Sequence, residues 1–388
     1  MPPELRDIFA GETAIDADID LGANGTVAVK TGTLTTAAAS MTASGRYDPQ
    51  GSNDLIIEAH ATGEPVLLSA PARGIPGELR LRQAKMSLRG QADAAALSAT
   101  LDLASLTLPQ ARVNDVTLTA TSDAFDLSTR QGPVLVDLAV QSAEVTDAQI
   151  APYLRAPLRL TAPLTIEADA ISTVALTLDS DGLDGTISGR YTLADQGFAG
   201  AVQLIAEPGL LPPAIASKLD RPVTLSTRLD YAAPQAISLR NIDLQTNLGQ
   251  VQGSLSLDPQ GALATDLTGQ LNDLGNFVDR IKGAASFDLS ASGPLDAIEA
   301  TVNIAVEEGV AAGYQVTGLV LTAEGLASPT APQGDISLSG QIDGKPVQAS
   351  GKVVSANGVT KVDGLALEIG PNTLKGALSL GADLTPTG

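Results

Sequence analysis

The chain has no cysteine, no tryptophan and a single histidine. Without thiols it has no disulfide, no thiol nucleophile and no thiolate metal site, although this leaves the cellular compartment open. Aromatic residues make up 3% of the sequence, so the core lacks the rings that usually supply large buried areas. Basic residues are scarce too: 23 Lys and Arg stand against 44 Asp and Glu, a net charge of −21. That excess repels nucleic-acid phosphates and anionic lipid surfaces, which argues against nucleic acid as a partner. No run of 18 apolar residues occurs, so the sequence holds no candidate membrane-spanning helix. Met1-Pro2-Pro3-Glu4-Leu5-Arg6 lacks the apolar stretch of a signal peptide. Leu384-Thr385-Pro386-Thr387-Gly388 offers no closing element. The expectation is a piece of a longer protein, with any anchor lying outside it.

What is present is aliphatic. The hydrophobic share of 44% is too high for a disordered chain, and 388 residues exceed the usual length of one domain. Apolar residues alternate with Ser, Thr and Asp in Leu97-Ser-Ala-Thr-Leu101-Asp-Leu103 and in Val134-Leu-Val136-Asp-Leu138-Ala-Val140. A period of two puts the aliphatics on one face of a strand. Ala23-Asn24-Gly25, Asp48-Pro49-Gln50-Gly51 and Asp258-Pro259-Gln260-Gly261 punctuate the runs as hairpin turns. The fold class expected is all-β, a repetitive, elongated antiparallel sheet with an apolar interior. Pro2–Phe9, Ala148–Arg155, Leu211–Leu219 and Leu274–Ile281 break the alternation with apolar residues three or four apart, and are expected to be one- or two-turn helices capping sheet modules. Modules are expected at 1–85, 86–210, 211–272 and 273–388.

The chain repeats itself. Residues 87–120 align without a gap onto 290–323, an offset of 203. Gly90 matches Gly293, Leu101 matches Ile304, Leu103 matches Val306, Val113 matches Val316 and Leu118 matches Leu321. A second recurrence, Gly-x-Tyr or Gly-x-Leu, appears at Gly45, Gly189, Gly253 and Gly376. Such repetition marks a stack in which each unit buries its apolar face only against its neighbours.

Catalytic constellations do not converge. His60 shares a strand face with Glu58, so a proton-relay pair is conceivable, but a lone surface histidine is the simpler reading. Asp179, Asp181 and Asp184 surround a Gly-containing turn, and Glu307-Glu308 adjoin Gly309; carboxylate pairs cleave polysaccharides, yet Asp is ordinary turn chemistry and aromatic platforms are few. No calcium-binding nonapeptide or phosphate-cradling loop occurs. The chain reads as a non-enzyme with no metal and no cofactor.

An apolar sheet face can instead hold acyl chains. Each buried methylene is worth ~0.8 kcal/mol, so fourteen of them gain on the order of 10 kcal/mol. The residues expected to line such a groove are Leu101, Leu103, Val136, Leu138, Leu164, Ile166, Leu176, Leu178, Leu255, Leu257, Phe287, Leu289, Ile336, Leu338, Leu365, Leu367, Leu378 and Leu380. Alternation alone fits a closed core equally well.

A family resemblance favours the groove. Pro2-Pro3-Glu4-Leu5-Arg6-Asp7-Ile8-Phe9-Ala10-Gly11 resembles the Leu-Arg-x-x-Phe segments between β modules of alphaproteobacterial members of the TamB (translocation and assembly module B) family. Ser292-Gly293-Pro294-Leu295-Asp296-Ala297 is similar to that family's Ser-Gly-Pro-Leu-x-x-Pro module start, with Ala297 where Pro is commoner. Gly318-Leu319-Val320-Leu321-Thr322-Ala323 and Gly364-Leu365-Ala366-Leu367 resemble its strand signatures. AsmA-like relatives share this texture. The resemblance implies a periplasmic β-taco anchored in the inner membrane by an N-terminal helix not present here. It also implies phospholipid acyl chains as cargo, help in outer-membrane protein or autotransporter assembly, and a TamA-like outer-membrane barrel as partner. The rival reading is a secreted β-helical adhesin or passenger, which ladders of stacked Asn or aromatic residues would favour; a polysaccharide-cleaving enzyme comes third.

Overall fold

The computed structural model describes residues 12–69, 77–146, 151, 155–278, 280–327, 333–356, 359–380 and 386–387. They form antiparallel strands that do not close into a barrel. The chain divides into two compact units, which meet in sequence within residues 197–207.

The first unit runs β1 (Thr13–Leu21), β2 (Val27–Thr36), β3 (Ala39–Tyr47), β4 (Ser52–Ala61), β5 (Val66–Ser69), β6 (Glu78–Gln91), β7 (Ala94–Thr107), β8 (Ala111–Phe125), β9 (Gly132–Val145), β10 (Leu158–Ile166), β11 (Ala170–Ser180) and β12 (Leu183–Thr192). Each strand bonds to the next, except that β4 and β5 both pair with β6. β13 (Gly197–Ala206) falls at the division. The second unit runs β14 (Val223–Ala232), β15 (Ala236–Gln245), β16 (Gly249–Leu257), β17 (Ala262–Leu271), β18 (Ile281–Lys282), β19 (Ala285–Pro294), β20 (Glu299–Ala311), β21 (Tyr314–Leu326), β22 (Gln333–Ile342), β23 (Lys345–Ala356), β24 (Val359–Ile369), β25 (Asn372–Leu380) and β26 (Pro386–Thr387). Here too neighbours in sequence pair, except that β17 pairs with β19 and the two-residue β18 joins β20 beside β19.

No helical layer covers either sheet among the described residues. Of the expected insertions, Pro2–Phe9 and most of Ala148–Arg155 lie outside the described residues. Leu211–Leu219 contributes one α-turn, Pro213–Ala216, after a 3-10 turn at Pro208–Leu210. Leu274–Ile281 is shorter than expected, a 3-10 turn at Leu274–Asn276, with Ile281 already in β18. The Asp273 carboxylate accepts the amides of both Gly275 and Gly283 at 2.9 and 3.0 Å, which closes the loop before a second turn can form. No helix among the described residues is long and apolar enough to cross a membrane.

Burial therefore has to come from the sheet itself. Leu103, Val116 and Val140 form the centre of the first unit, with Leu79, Leu81, Leu101, Val113, Leu138 and Leu158 packed against them. Val116 is 2% exposed, covered by Leu103 and Val140 on the strands either side of it and by the aliphatic residues packed around them. Bulges bend the strands and increase their twist. Val29 and Gly32 flank one, Thr173 and Leu176 another, Leu239 and Ile242 a third.

The sequence repeat is also a repeat of register. Leu101 faces Leu118 as Ile304 faces Leu321, and Leu103 faces Val116 as Val306 faces Leu319. The irregularity recurs at the same offset: Asp115 has φ +51° and Gly318 φ +57°. In the first unit Arg82 donates to Asp102 at 3.0 Å and to Asp115, tying three strands together at this point.

One close approach depends on glycine. A Cβ on Gly269 would lie 2.5 Å from Phe287 Cζ and 2.6 Å from the Gln250 carbonyl, because the Phe287 ring covers its cross-strand partner. Gly269→Ala is expected to lower stability by about 1–3 kcal/mol through overpacking, read from urea midpoints. Adding Phe287→Leu should recover part of the loss. A neutral Gly269→Ala would show that the ring is free to move away.

Candidate functional site: an uninterrupted apolar face

Strand pairing converts scattered Leu-x-Leu patterns into rows. In the first unit, one row runs Ile15, Leu34, Met41, Ala59, Ala84, Leu101, Leu118, Leu138, Leu160, Leu178, Gly185, one residue from each successive strand except β5. Beside it run Leu81, Leu103, Val116, Val140 and Leu158. On its other side lie Met86, Ala99, Ala120, Val136 and Ala162. No charged side chain enters these rows.

The second unit has the same construction. One row runs Leu225, Leu244, Val251, Gly269, Phe287, Ile304, Leu321, Leu338, Ala349, Leu367, Leu374. A second runs Ile242, Gly253, Leu267, Leu289, Val302, Ala323, Ile336, Gly351. A third carries Leu239, Leu255, Thr265, Ala291, Ala300, Gly325, Gly334, Val353, Val362 and Leu378.

Every expected lining residue lies on the apolar face of its own unit. Leu101, Leu138 and Leu178 share the first row, and Leu103 and Val136 the flanking ones. Leu164 faces Val134, Ile166 faces Ile171, and Leu176 faces Ile187. Phe287, Leu338 and Leu367 share the main row of the second unit, Leu289 and Ile336 the next, and Leu255 and Leu378 the third. Leu257 faces Ile237 and Leu365 faces Gly376. Leu380 pairs with Thr360, and its side chain lies outside the described residues. Sequence reading missed Leu34, Met41, Leu118, Leu160, Ile304 and Leu321, which pairing adds to the rows.

The exposure of these side chains is the informative quantity. Leu103 is buried, whereas the other expected residues with described side chains are half-buried. A closed core would bury nearly all of them, and a flat face would expose them. The first row becomes open at its end, where Ile15 is 72% exposed.

The opposite face carries the charge. Lys85 meets Glu58 at 2.5 Å, Arg159 meets Asp137 at 2.9 Å, and Arg190 meets Glu167 at 2.6 Å and Asp169 at 3.2 Å. Exposed pairs of this kind contribute at most about 1 kcal/mol each. Two concavities open on this polar face. One of 460 Å³ is lined by Thr117, Asp137, Arg159 and Asp179 among others, and one of 630 Å³ by Asp266, Glu299, Glu324, Asp335 and Lys352 among others. No cluster of three metal-ligating side chains suited to an ion occurs among the described residues. His60 is exposed on β4, and Glu58, its conceivable relay partner, is engaged by Lys85.

Several carboxylates sit below their ordinary range. Asp126 is held at about 2 by the Ser128 hydroxyl and the Thr129 amide in the β8–β9 turn. Asp137 is lowered by Arg159 and Thr161, and Asp273 by the amides of Gly275 and Gly283. A carboxylate depressed in the folded state adds stability above its unfolded value, here 3.8, and that contribution disappears as pH falls through the folded value. The urea midpoint should therefore decline as pH drops from 3.8 toward about 2, and Asp126→Asn should flatten that decline. An unchanged slope in the variant would remove Asp126 as a contributor.

No family model matches the chain, and neither a curated protein nor a solved structure matches it.

Proposed function

We propose that each unit offers its apolar sheet face as a surface along which lipid acyl chains are held and passed. One observation carries this reading: uncharged aliphatic rows cross successive strands while most of their side chains stay only half-buried. Half-burial leaves part of each Leu free to contact a methylene chain, at ~0.8 kcal/mol per buried methylene. Leucines succeed one another with similar chemistry, and no aromatic or basic cluster on the face grips a headgroup. A site tighter than its neighbours by 1.4 kcal/mol would retain cargo about tenfold longer, so uniformity favours movement over storage.

The resemblance to the TamB family extends the proposal. In this reading the chain belongs to a periplasmic protein anchored in the inner membrane. It conducts phospholipid toward the outer membrane, aids assembly of outer-membrane proteins, and has a TamA-like barrel as partner.

Leu178→Asp and Leu338→Asp place a charge, costly to desolvate, in the main row of each unit. Both should impair outer-membrane integrity to a similar degree at matched protein levels. Leu→Ala at the same positions should affect flux weakly, although it loosens a well-packed site by ~2–5 kcal/mol. Photo-crosslinkers at Leu101, Leu178 and Leu338 should recover phospholipid from cells. Recovery only from polar-face positions such as Thr119 or Ser337 would reject the groove and favour an adhesin-like outer surface.

A further inference from the structure

The first unit's main row is not uniform. Between Met41 and Leu101 it drops to Ala59 and Ala84. Here β4 stops at Ala61 and β5 resumes at Val66, both pairing with β6. Missing side-chain volume and an interrupted strand coincide, and a 250 Å³ cavity lies between them. Leu34, Met41, Ala59, Val66, Leu68 and Leu81 supply its apolar wall.

Two polar residues touch this space. The Thr36 hydroxyl is already committed, donating to the Ala39 carbonyl at 3.1 Å and accepting the amides of Ala38 and Ala39. His60, exposed on β4, also lines it. The end of β4 is fixed by Thr62, whose amide and hydroxyl donate to the carbonyls of Ala38 and Ala37 at 3.1 and 2.9 Å. A space this poor in free hydrogen-bonding groups does not hold water well. An apolar cavity of roughly 150 Å³ stays dry and admits benzene, and this one is larger. Met41, 37% exposed and flexible, forms part of its wall.

We infer that this cavity is a discrete seat for the end of an unbranched aliphatic chain, the one position in the first unit's main row where cargo is retained instead of passed. The inference rests on the groove reading proposed above and departs from its uniform profile at this point. Its walls are mostly aliphatic, which suits a methylene chain, and it has no carboxylate, Lys or Arg to select a headgroup.

The test is a fluorescence titration of the full chain with cis-parinaric acid, a linear polyene fatty acid. One saturable site per chain is expected. Ala59→Phe and Ala61→Leu, which fill the cavity from its wall, should weaken that site at least tenfold, while Ser337→Phe on the second unit's polar face should not. Circular dichroism identifies any variant that fails to fold. Independently of those variants, benzoylphenylalanine at Leu68 should crosslink parinarate at lower probe concentration than the same label at Leu338. Filled variants that titrate like the parent, an equal loss in Ser337→Phe, or equal labelling at both positions would overturn the seat. If Leu338 still crosslinks lipid in any of these cases, the groove reading stands without it. If neither position labels, the groove reading falls, and the seat with it.

Discussion

The structure depends on register. Because side chains alternate with a period of two, a slip of one residue would carry every Leu of a strand to the polar side and every Asp to the apolar side. The hydrophobic effect thus fixes not only that these strands pair but where they pair. Each row of Leu, Ile, Val, Ala and Gly is the trace of that selection across successive strands. With no helix packed on the sheet among the described residues, nothing else supplies a core. Fold and apolar face are therefore one feature, and a change that disturbs the rows disturbs both.

Much of this was legible. Leu97-x-x-x-Leu101-x-Leu103 and Val134-x-Val136-x-Leu138 declare strands and their inward face, and the 203-residue offset announced a duplication that the pairing reproduces residue for residue. The bulges were hidden because they break the periodicity used to find strands. Leu239 and Ile242, or Val362 and Leu365, stand three apart yet face the same way; in sequence they resemble a helical spacing. An apolar spacing of three between two alternating runs is the signal that would have located them. Within Leu274–Ile281 only a 3-10 turn at Leu274–Asn276 forms, for a related reason: apolar residues three or four apart also suit a chain that the Asp273 side chain closes into a loop. The cavity could not be read at all, for it arises where alanines on neighbouring strands meet a strand break.

Charge is organised by the same alternation. The acidic excess lies on the polar face, where cations are placed across from carboxylates, as Lys85 opposite Glu58 and Arg89 opposite Asp54. These pairs contribute little individually. Their larger effect is on solubility and on wrong pairing: a sheet with one aliphatic face needs a strongly hydrated reverse to remain dispersed. Carboxylates tied to turn amides, such as Asp126 and Asp273, serve a third purpose by fixing where strands reverse.

The recurrence of β7–β8 as β20–β21, with the same irregularity at Asp115 and Gly318, has a consequence for growth. A strand in these units answers chiefly to the strands on either side of it, so a hairpin can be copied or deleted without redesigning distant parts. Neighbouring strands lie about 4.8 Å apart, and each duplicated hairpin therefore widens a sheet by roughly 10 Å. Its apolar lining and its charged reverse come with it. The width of such a sheet is then set by counting strands, and gene duplication alone can change it.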